Sequence, residues 1–368
     1  MTAVVCDVLV VGLGPGGAAA AAGAAAGGLR VIGVDRKQEI GLPVQCAEFI
    51  PMPLARHATA SNVLMQRING MASMLPSGAV VETAFTGLMV DRAAFDQALV
   101  ANACRAGAIV QAGTRLQQLD TTGHSAVVRT ADGVETVLRY RALIAADGPH
   151  STVARLMGLT ALQAVDTRQY TVPLLRPFEE TDIWLSPDFP GGYAWLFPKK
   201  DRANLGLGMD RDARPDMKTP LDALHRQLVR EGRVGSEILA RTGGAIPVGG
   251  LRDVLVRDDV VFVGDAAGLT HPVTGAGIAA AVVSGEMAAS AVAGYCEGND
   301  GALTDYADEL REQFSPSLAR AVSRRQEMMR VRNTAAARED AVHRRGWIAF
   351  DEYYRECLPD SILADTVA

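Results

Sequence analysis

The sequence has few cysteines and few aromatic residues, and both shortages exclude kinds of protein. Aromatic residues make up 5% of the 368 residues, so much of the core must be aliphatic. The chain has five cysteines, which lie far apart and form no C-x-x-C pair: Cys6, Cys46, Cys104, Cys296 and Cys357. We therefore expect reduced thiols and not a disulfide framework. No group of cysteine and histidine has the spacing of a metal site, so we predict that no metal is bound.

The chain also lacks excess positive charge and a long unbroken apolar run. Its formal net charge is −6, which argues against nucleic acid as the main partner. The apolar run at 4–29 contains Asp7 and many glycines, whereas a membrane span needs about 20 predominantly apolar residues in sequence. No Lys or Arg precedes this run, as a signal peptide would require. We expect a cytoplasmic protein without a transmembrane segment.

A cradle for a dinucleotide is predicted near the beginning of the chain. An apolar strand expected at 8–11 leads into Gly12, Gly14 and Gly17 in a G-x-G-x-x-G pattern, and an alanine-rich helix follows. These glycines would permit a tight turn, a close approach of backbone to a pyrophosphate, and close packing of helix on strand. The helix N-terminus offers N–H groups to the phosphates. Asp35 ends the next predicted strand and would bind a ribose.

Two later segments repeat the pattern of an apolar strand that ends in a carboxylate. The segment 142–148 (ALIAADG) runs into Asp147, and the segment 259–265 (DVVFVGD) runs into Asp265. In α/β folds, ligands bind at the carboxyl ends of parallel strands. The loop after the second acid contains residues that let backbone approach a flat ring: Pro272, Gly275 and Gly277.

In this order, the three segments resemble the FAD-dependent flavoproteins of the p-hydroxybenzoate hydroxylase fold. The resemblance implies an α/β fold with a Rossmann-like FAD-binding domain, an inserted antiparallel β-sheet substrate domain and C-terminal helices. It implies that the first motif holds the ADP part of FAD, that Asp265 holds the ribityl chain, and that Asp147 lies near the pyrophosphate. Residues Pro272–Ile278 would face the pyrimidine edge of the flavin ring.

A fourth segment also resembles that family. The run VDRAAFDQAL (90–99) matches its DRxxFDxxL helix start, which makes Arg92 a candidate cofactor contact. The plain alternative is that Arg92 lies on the surface. Asp91 would then be a helix N-cap, and Phe95 and Leu99 would pack in the core.

The expected FAD-binding domain is discontinuous, at 1–60, 88–160 and 250–300. The β-sheet substrate domain would comprise 61–87, which reads as a hairpin that turns at Pro76–Gly78, together with 165–248. Residues 301–368 would form a C-terminal helical region, with a helix broken or kinked at Pro316. The basic run at 324–344 is expected to be a solvated face, with binding to a membrane surface as the alternative.

Three segments resemble the geranylgeranyl reductase branch of the fold. One is GDAAGLTHPVTGAGIAAAVVSGEMAA (264–289), which is similar to the flavin loop of that branch. GGYAWLFPKKDRANLGLG (191–208) is similar to the Y-x-W-x-F-P segment of that branch, and PVQCAE (43–48) is similar to its P-x-x-C segment on the flavin side of the pocket. Strand alternation would put Tyr193, Trp195 and Phe197 on one face, as an aromatic wall for a large apolar substrate. Ordinary sheet packing is the alternative.

The resemblance leaves two reactions open. The first is reduction of C=C bonds of a prenyl (geranylgeranyl-type) chain, with Cys46 as the main candidate proton source and Glu48 and His271 as lesser ones. The second is a flavin-dependent monooxygenase that hydroxylates an aromatic ring, including a tryptophan of a partner protein in quinone-cofactor formation. A buried Cys46 would also serve as a small apolar residue. A flavin-binding sensor would need an output domain, which the sequence does not show.

The source of electrons is open as well. No second G-x-G-x-x-G follows the first, so we expect NAD(P)H to dock transiently or a ferredoxin-like protein to deliver electrons. The expected location is the cytoplasm, with peripheral attachment to the membrane as a variant.

Overall fold

Three β-sheets and a set of helices make up the described part of the chain. The structure is a computed structural model, and it describes residues 3–210, 212–213 and 216–355. Cys357 and the end of the predicted C-terminal region lie outside the described residues.

The strands, in chain order, are β1 (Ala3–Val5), β2 (Val8–Val11), β3 (Val31–Asp35), β4 (Phe49–Pro51), β5 (Leu64–Met74), β6 (Val80–Val90), β7 (Ile109–Ala112), β8 (Thr114–Asp120), β9 (Ser125–Thr130), β10 (Glu135–Arg139), β11 (Ala142–Ala145), β12 (Ala164–Pro173), β13 (Glu180–Trp184), β14 (Tyr193–Lys199), β15 (Arg202–Met209), β16 (Ala240–Thr242), β17 (Ala245–Pro247), β18 (Val256–Arg257) and β19 (Val260–Phe262). The α-helices are α1 (Pro15–Ala26), α2 (Arg92–Ala106), α3 (Thr152–Leu156), α4 (Lys218–Arg230), α5 (Ile278–Cys296), α6 (Ala302–Val331), α7 (Asp340–Gly346) and α8 (Asp351–Tyr354). Short 3₁₀ segments lie at Met52–His57, Gly264–Ala267 and Ala335–Arg338.

The sheet predicted from the first motif is present as a six-stranded sheet of order β18-β19-β11-β2-β3-β7. All its pairs are parallel except β18 with β19. Strand β2 is buried along its whole length, as expected for a central strand between helices. The carboxyl ends of β2, β11 and β19 therefore lie side by side, and the three motifs follow from them.

A nine-stranded sheet forms the second layer, in the order β16-β12-β15-β14-β13-β5-β6-β4 with β17 beside β12. Its pairs are antiparallel except β13 with β5. The predicted hairpin is confirmed, because β5 and β6 pair antiparallel across the turn at 75–79. Helix α4 packs its apolar face on this sheet through Leu221, Leu224 and Leu228. A four-stranded sheet of order β1-β10-β9-β8, which we did not predict, shares no strand with the other two.

The backbones of helices α1 and α5 approach each other closely, because both helices are rich in small residues. A Cβ added at Gly285 would lie 2.2 Å from the carbonyl oxygen of Gly16, and one added at Gly23 would lie 2.7 Å from the Cβ of Ala289. Several alanines of α1 are fully buried between the sheet and α5. This contact explains the alanine-rich sequence of α1, since larger side chains would separate the helices.

The C-terminal helices differ from the prediction in two ways. Helix α6 continues through Pro316, so the predicted break is absent, and the alternative of a kink stays a prediction. Its apolar face is buried at Leu310 and Leu318 on both sides of the proline, and this packing outweighs the lost hydrogen bond. The prediction of a solvated basic face is wrong for Arg324 and Arg325, which are 1% and 4% exposed. Arg324 donates to the carbonyl of Tyr353, and Arg325 pairs with Asp210.

Among the described residues, α5 is the helix that is long and apolar enough to cross a membrane by length and composition. It packs against α1 and carries eight buried residues inside the protein. A core helix of a globular protein has the same properties, so this helix is weak support for a membrane span.

We predict that Gly285→Ala destabilises the protein, because the new methyl group meets a backbone carbonyl that no rotamer change can move aside. Overpacking of this kind costs about 1–3 kcal/mol, measured by urea unfolding. Gly294→Ala in the same helix is the matched control, since its Cβ would have ordinary contacts. The control should be neutral or more stable by about 0.5–1 kcal/mol. Equal stability of the two variants would contradict the close helix contact.

Candidate functional site

A single large cavity of about 1050 Å³ lies between the six-stranded and the nine-stranded sheets. This volume is at the upper end of the usual range for ligand sites, roughly 300–1,000 Å³. One part is lined by the loops after β2, β11 and β19, and another part by aromatic side chains of the second sheet. Most of the predicted site residues line it: Gly12, Gly14, Asp35, Cys46, Glu48, Arg92, Asp147, Tyr193, Trp195, Phe197, Asp265, Gly275, Gly277 and Ile278.

The turn from β2 to α1 has room for backbone only. Gly12 has a left-handed φ of +92°, and a Cβ there would lie 2.4 Å from the carbonyl oxygen of Ala146. A Cβ at Gly17 would lie 1.9 Å from the carbonyl oxygen of Gly12. Gly14 faces open space, and α1 begins beside it without a side-chain cap. The first N–H groups of α1 are thus available to an anionic ligand in the cavity.

Two carboxylates flank this turn. Asp35 accepts hydrogen bonds from the backbone N–H groups of Leu13 (2.7 Å) and Lys37 (2.8 Å), which leaves lone pairs of both oxygens for a ligand. Asp147 accepts through Oδ2 from the backbone N–H of Thr152 at 2.6 Å. Its Oδ1 is buried without a hydrogen-bond partner in the described part of the chain. Burial raises the pKa of Asp147, and a ligand hydroxyl would satisfy the free oxygen.

The loop after β19 forms a second helix N-terminus at the cavity. Asp265 accepts a 2.5 Å hydrogen bond from Thr270 Oγ1, and burial raises its pKa although Thr270 and Arg92 oppose the rise. Helix α5 begins at Ile278, directly after Gly277, again without a side-chain cap. A Cβ at Gly277 would lie 3.1 Å from Asp265 Oδ1, so a side chain would crowd this acid. Pro272 belongs to the loop but is not among the residues that line the cavity.

The aromatic wall follows the predicted alternation of β14. Tyr193, Trp195 and Phe197 line the cavity, whereas Ala194 and Leu196 pack on the opposite face in the core beneath α4. Tyr193 donates from its hydroxyl to the carbonyl of Thr274 at 2.5 Å, which joins the wall to the loop before α5. Phe49 and Phe85, stacked with ring centroids 5.2 Å apart, extend the wall.

The C-terminal region closes the wall, which the sequence analysis did not anticipate. Trp347, which is 3% exposed, packs on Tyr193 with ring centroids 4.8 Å apart. It lines the cavity together with Ile348. The one sequence signal is the apolar run GWIAF (346–350) after a basic helix, which marks burial but not the partner.

Cys46 is half-buried and lines the cavity. Its sulfur accepts a hydrogen bond from the backbone N–H of Glu48 at 3.2 Å. Burial raises the pKa of Tyr193, and the nearby Cys46 adds to this effect, so the thiol lies next to the aromatic wall. Arg92, which pairs with Asp96 at 2.8 Å, lines the same cavity.

The carboxylate of Glu48, a residue that lines the cavity, is held by three hydrogen-bond donors. Its carboxylate accepts from the backbone N–H of Arg92 (2.9 Å), from Lys199 Nζ (2.8 Å) and from Asn204 Nδ2 (2.7 Å). The residue is 4% exposed and has a left-handed φ of +72°. Such a conformation is costly for a residue with a Cβ and persists only where surrounding contacts hold it.

His271 lies in the loop before α5, but it is not among the residues that line the cavity. Its Nδ1 accepts from the backbone N–H of Thr274 at 3.2 Å, and its Nε2 is 3.2 Å from the hydroxyl of Tyr353 in α8. Burial lowers the pKa of His271 to about 4. The imidazole is therefore neutral at physiological pH and joins the loop to the C-terminal region.

These features define the class of protein. Two uncapped helix N-termini, a glycine turn that brings backbone to the cavity, and a buried carboxylate oxygen without a partner suit a dinucleotide that carries phosphates and hydroxyl groups. The aromatic part of the same cavity suits an apolar substrate. The fold and the site are those of an FAD-dependent oxidoreductase.

Comparisons with known proteins agree with this class. The model of an FAD binding domain matches residues 57–206, that of a geranylgeranyl reductase catalytic domain matches 169–246, and that of a lycopene cyclase protein matches 214–355. A digeranylgeranylglycerophospholipid reductase of Methanocella arvoryzae is 34% identical over 337 residues, with 85% of this chain and 84% of the relative covered. The enzyme of the same name from Methanothrix thermoacetophila is 34% identical over 336 residues, with 86% and 85% covered.

Solved structures give the same result. A geranylgeranyl bacteriochlorophyll reductase-like protein from Thermoplasma acidophilum has a TM-score of 0.85 at 26% identity, covering 99% of this chain and 96% of its own. Aklavinone-11 hydroxylase in complex with FAD and aklavinone has a TM-score of 0.70 at 21% identity, with 90% and 72% covered, which shows a shared fold. The chain belongs to the geranylgeranyl reductase family of FAD-dependent oxidoreductases.

We predict that the stability of the protein falls as the pH falls from about 6.5 to about 4, in part through His271. Because its pKa in the fold lies below the ordinary 6.5, the unfolded chain binds the proton first, and stability present above pH 6.5 is lost below it. This histidine contributes up to about 3 kcal/mol to the loss. Urea unfolding at pH 7, 6 and 5 measures it.

The control is His271→Asn, compared with its own stability at pH 7. It should lose less stability on acidification than the native chain does. An unchanged pH dependence would show that His271 is not buried as described.

Proposed function

We propose that this enzyme reduces C=C bonds of a large apolar substrate, best a prenyl chain of the geranylgeranyl type. One observation carries the proposal: one cavity joins a glycine-lined part, suited to FAD, to an aromatic part. The names of the most similar relatives, which are reductases of digeranylgeranylglycerophospholipids, support the same chemistry.

We propose that FAD lies along the first part of the cavity. Gly12, Gly14 and Gly17 would hold the ADP part on the N-terminus of α1, with Asp35 on the ribose. The free oxygen of Asp147 would accept from a hydroxyl of the cofactor. On the other side, Asp265 would bind the ribityl chain. The loop 272–278, with Gly275, Gly277 and Ile278, would bring backbone to the flavin ring, and Arg92 would lie beside it.

The substrate would lie against the aromatic wall of Tyr193, Trp195 and Phe197. This wall is closed by Trp347 and extended by Phe49. The wall excludes water around an apolar chain, and burial of that chain supplies about 25 cal/mol per Å² of apolar surface. Because this stabilisation acts along the whole chain, the shape of the aromatic part of the cavity would decide which double bond reaches the reaction site.

Reduction of an isolated C=C bond needs a hydride and a proton on neighbouring carbons. Reduced FAD, when bound, supplies the hydride. We propose that the Cys46 thiol gives the proton, because it lines the cavity that also contains the glycine-lined part and the aromatic wall. Solvent would then return a proton to the sulfur.

The two lesser candidates have other roles in this proposal. Glu48 is occupied by three donors, one of them a lysine, so its carboxylate is suited to hold its neighbours in place. His271 is a neutral imidazole between loop and C-terminal region. We propose that both are positioning residues and not proton donors.

Electrons must reach the flavin from outside. We propose NAD(P)H or a ferredoxin-like protein as the donor. The proposed location is the cytoplasm, with peripheral contact to a membrane where a prenyl lipid is the substrate.

The proposal is tested with the purified FAD enzyme, reduced with dithionite without air and mixed with geranylgeraniol. We expect a product that gains two hydrogens per reduced bond, detected by mass spectrometry, with the flavin reoxidised in the same mixture. A second arm admits air in the presence of an aromatic substrate, including a tryptophan peptide. A product that gains oxygen, with no hydrogenation in the anaerobic arm, would overturn the reductase proposal in favour of a monooxygenase.

We predict that Cys46→Ala lowers kcat for reduction by about 100-fold or more, because general acid catalysis contributes roughly 10²–10⁴-fold. FAD content should stay at the native level, since the sulfur is proposed to act on substrate. Cys104→Ala, at an exposed position outside the cavity, is the matched control and should keep native turnover. Full activity of Cys46→Ala would remove the thiol from the mechanism.

A further inference from the structure

The segment that carries Cys46 is held in place by side chains of the nine-stranded sheet. We propose that Gln169, Lys199 and Asn204 are positioning residues of the reaction, which fix residues 46–48 so that the Cys46 sulfur stays at the cavity. The inference rests on the proposed function only for its effect on turnover. Its structural part, the control of the position of Cys46, stands independently.

The loop needs such anchors because it has little regular structure of its own. Residues 41–48 lie between β3 and β4 and form no helix or strand. Backbone groups there cannot bond to each other as they would in a sheet, so other partners must satisfy them. The partners come from strands more than 100 residues further along the chain.

Gln169 is the first anchor, and it joins two parts of the site. Its amide nitrogen donates to the carbonyl of Cys46 itself at 3.0 Å, and its amide oxygen accepts from Trp195 Nε1 at 3.0 Å. The side chain is 3% exposed. One buried amide thus sets the distance between the thiol-bearing residue and the aromatic wall, and loss of a buried bond of this kind leaves two groups unpaired.

Lys199 and Asn204 are the second anchor, which holds the two residues after Cys46. Asn204 donates to the carbonyl of Ala47 at 3.2 Å and to the Glu48 carboxylate, and Lys199 pairs with the same carboxylate. Lys199 is 8% exposed and Asn204 is 1% exposed. These contacts hold the left-handed backbone of Glu48, and that backbone aims its N–H at the Cys46 sulfur.

Removal of either anchor should therefore change the position of one thiol without unfolding the protein. A general loss of stability would expose every buried cysteine together. The chain offers an internal standard for this distinction, since Cys6 and Cys296 are buried elsewhere in the fold. A positioning role also predicts a larger change in kcat than in KM, because misplacement of a reacting group by about 1 Å costs up to roughly 10²-fold in rate.

The first test uses Gln169→Leu in the FAD-loaded enzyme. Each cysteine is followed by iodoacetamide alkylation and peptide mass spectrometry. We expect the alkylation rate of Cys46 to rise several-fold while the rates of Cys6 and Cys296 stay native, and kcat to fall at least about tenfold with a smaller change in KM. Gln97→Leu is the matched control. It removes a glutamine bond to the carbonyl of Ile40 at 3.2 Å, outside residues 46–48, and should leave the Cys46 rate and kcat native.

The second test uses Lys199→Met. This substitution lies on a different strand, so it tests the proposal even if the first variant folds poorly. We expect the same selective rise at Cys46 and the same fall in kcat. Lys200→Met is its control, because the neighbouring side chain is exposed and makes no contact with Glu48. Native Cys46 rates in both test variants, or equal rises at all buried cysteines, would overturn the proposal.

The outcomes separate this proposal from the proposed function. The native enzyme could fail to reduce a prenyl substrate while iodoacetamide alkylates Cys46 selectively faster in both variants. The proposed reaction then fails, and the positioning of the thiol stands. If turnover is native in both variants although the substrate is reduced, the positioning residues have no role in the reaction.

Discussion

The cofactor part of the cavity depends on backbone segments that approach one another without side chains between them. The turn at Gly12 touches the backbone of Ala146, and Gly17 touches Gly12 in turn. In the first turn of α1, Gly16 meets helix α5 at Gly285. These contacts place two helix N-termini and the ends of three strands around one space. Since backbone contacts cannot relax by rotamer changes, this half of the site is rigid, as binding of a large cofactor in one orientation requires.

The substrate part is built on a different principle. Its wall consists of side chains, and its polar groups are joined in pairs across long sequence distances. Tyr193 is tied to the loop before α5, and Gln169 ties Trp195 to the Cys46 segment. The ion pair of Glu48 with Lys199 has the cost of a buried charge pair, so the pair contributes a fixed geometry more than net stability. The Cys46 thiol, the proposed proton donor, thus takes its position from the sheet that carries the aromatic wall.

Features set by local pattern were predictable from the sequence, and features set by distant contacts were not. The apolar strands, the glycine turn at Gly12 and the alternation at Tyr193, Trp195 and Phe197 follow from periodicity and backbone sterics, and the structure has them. Local pattern does not show that Trp347 lines the cavity or that Arg324 is buried, because each depends on which element packs there. A run of arginines reads as solvated until its carbonyl and carboxylate partners are known. The role of each site residue likewise depends on a cofactor position that no local pattern states.

The closure of the aromatic wall bears on the choice between the two reactions. A tryptophan of a folded partner protein would need a shallow and open pocket to reach the flavin. Here Trp195 is 6% exposed and Trp347 is 3% exposed, and the C-terminal segment covers the wall from outside. A flexible apolar chain can lie along such a wall and gains most when its whole length leaves water. The buried aromatic wall therefore suits a flexible apolar chain, which is the kind of substrate that the proposed prenyl reduction needs.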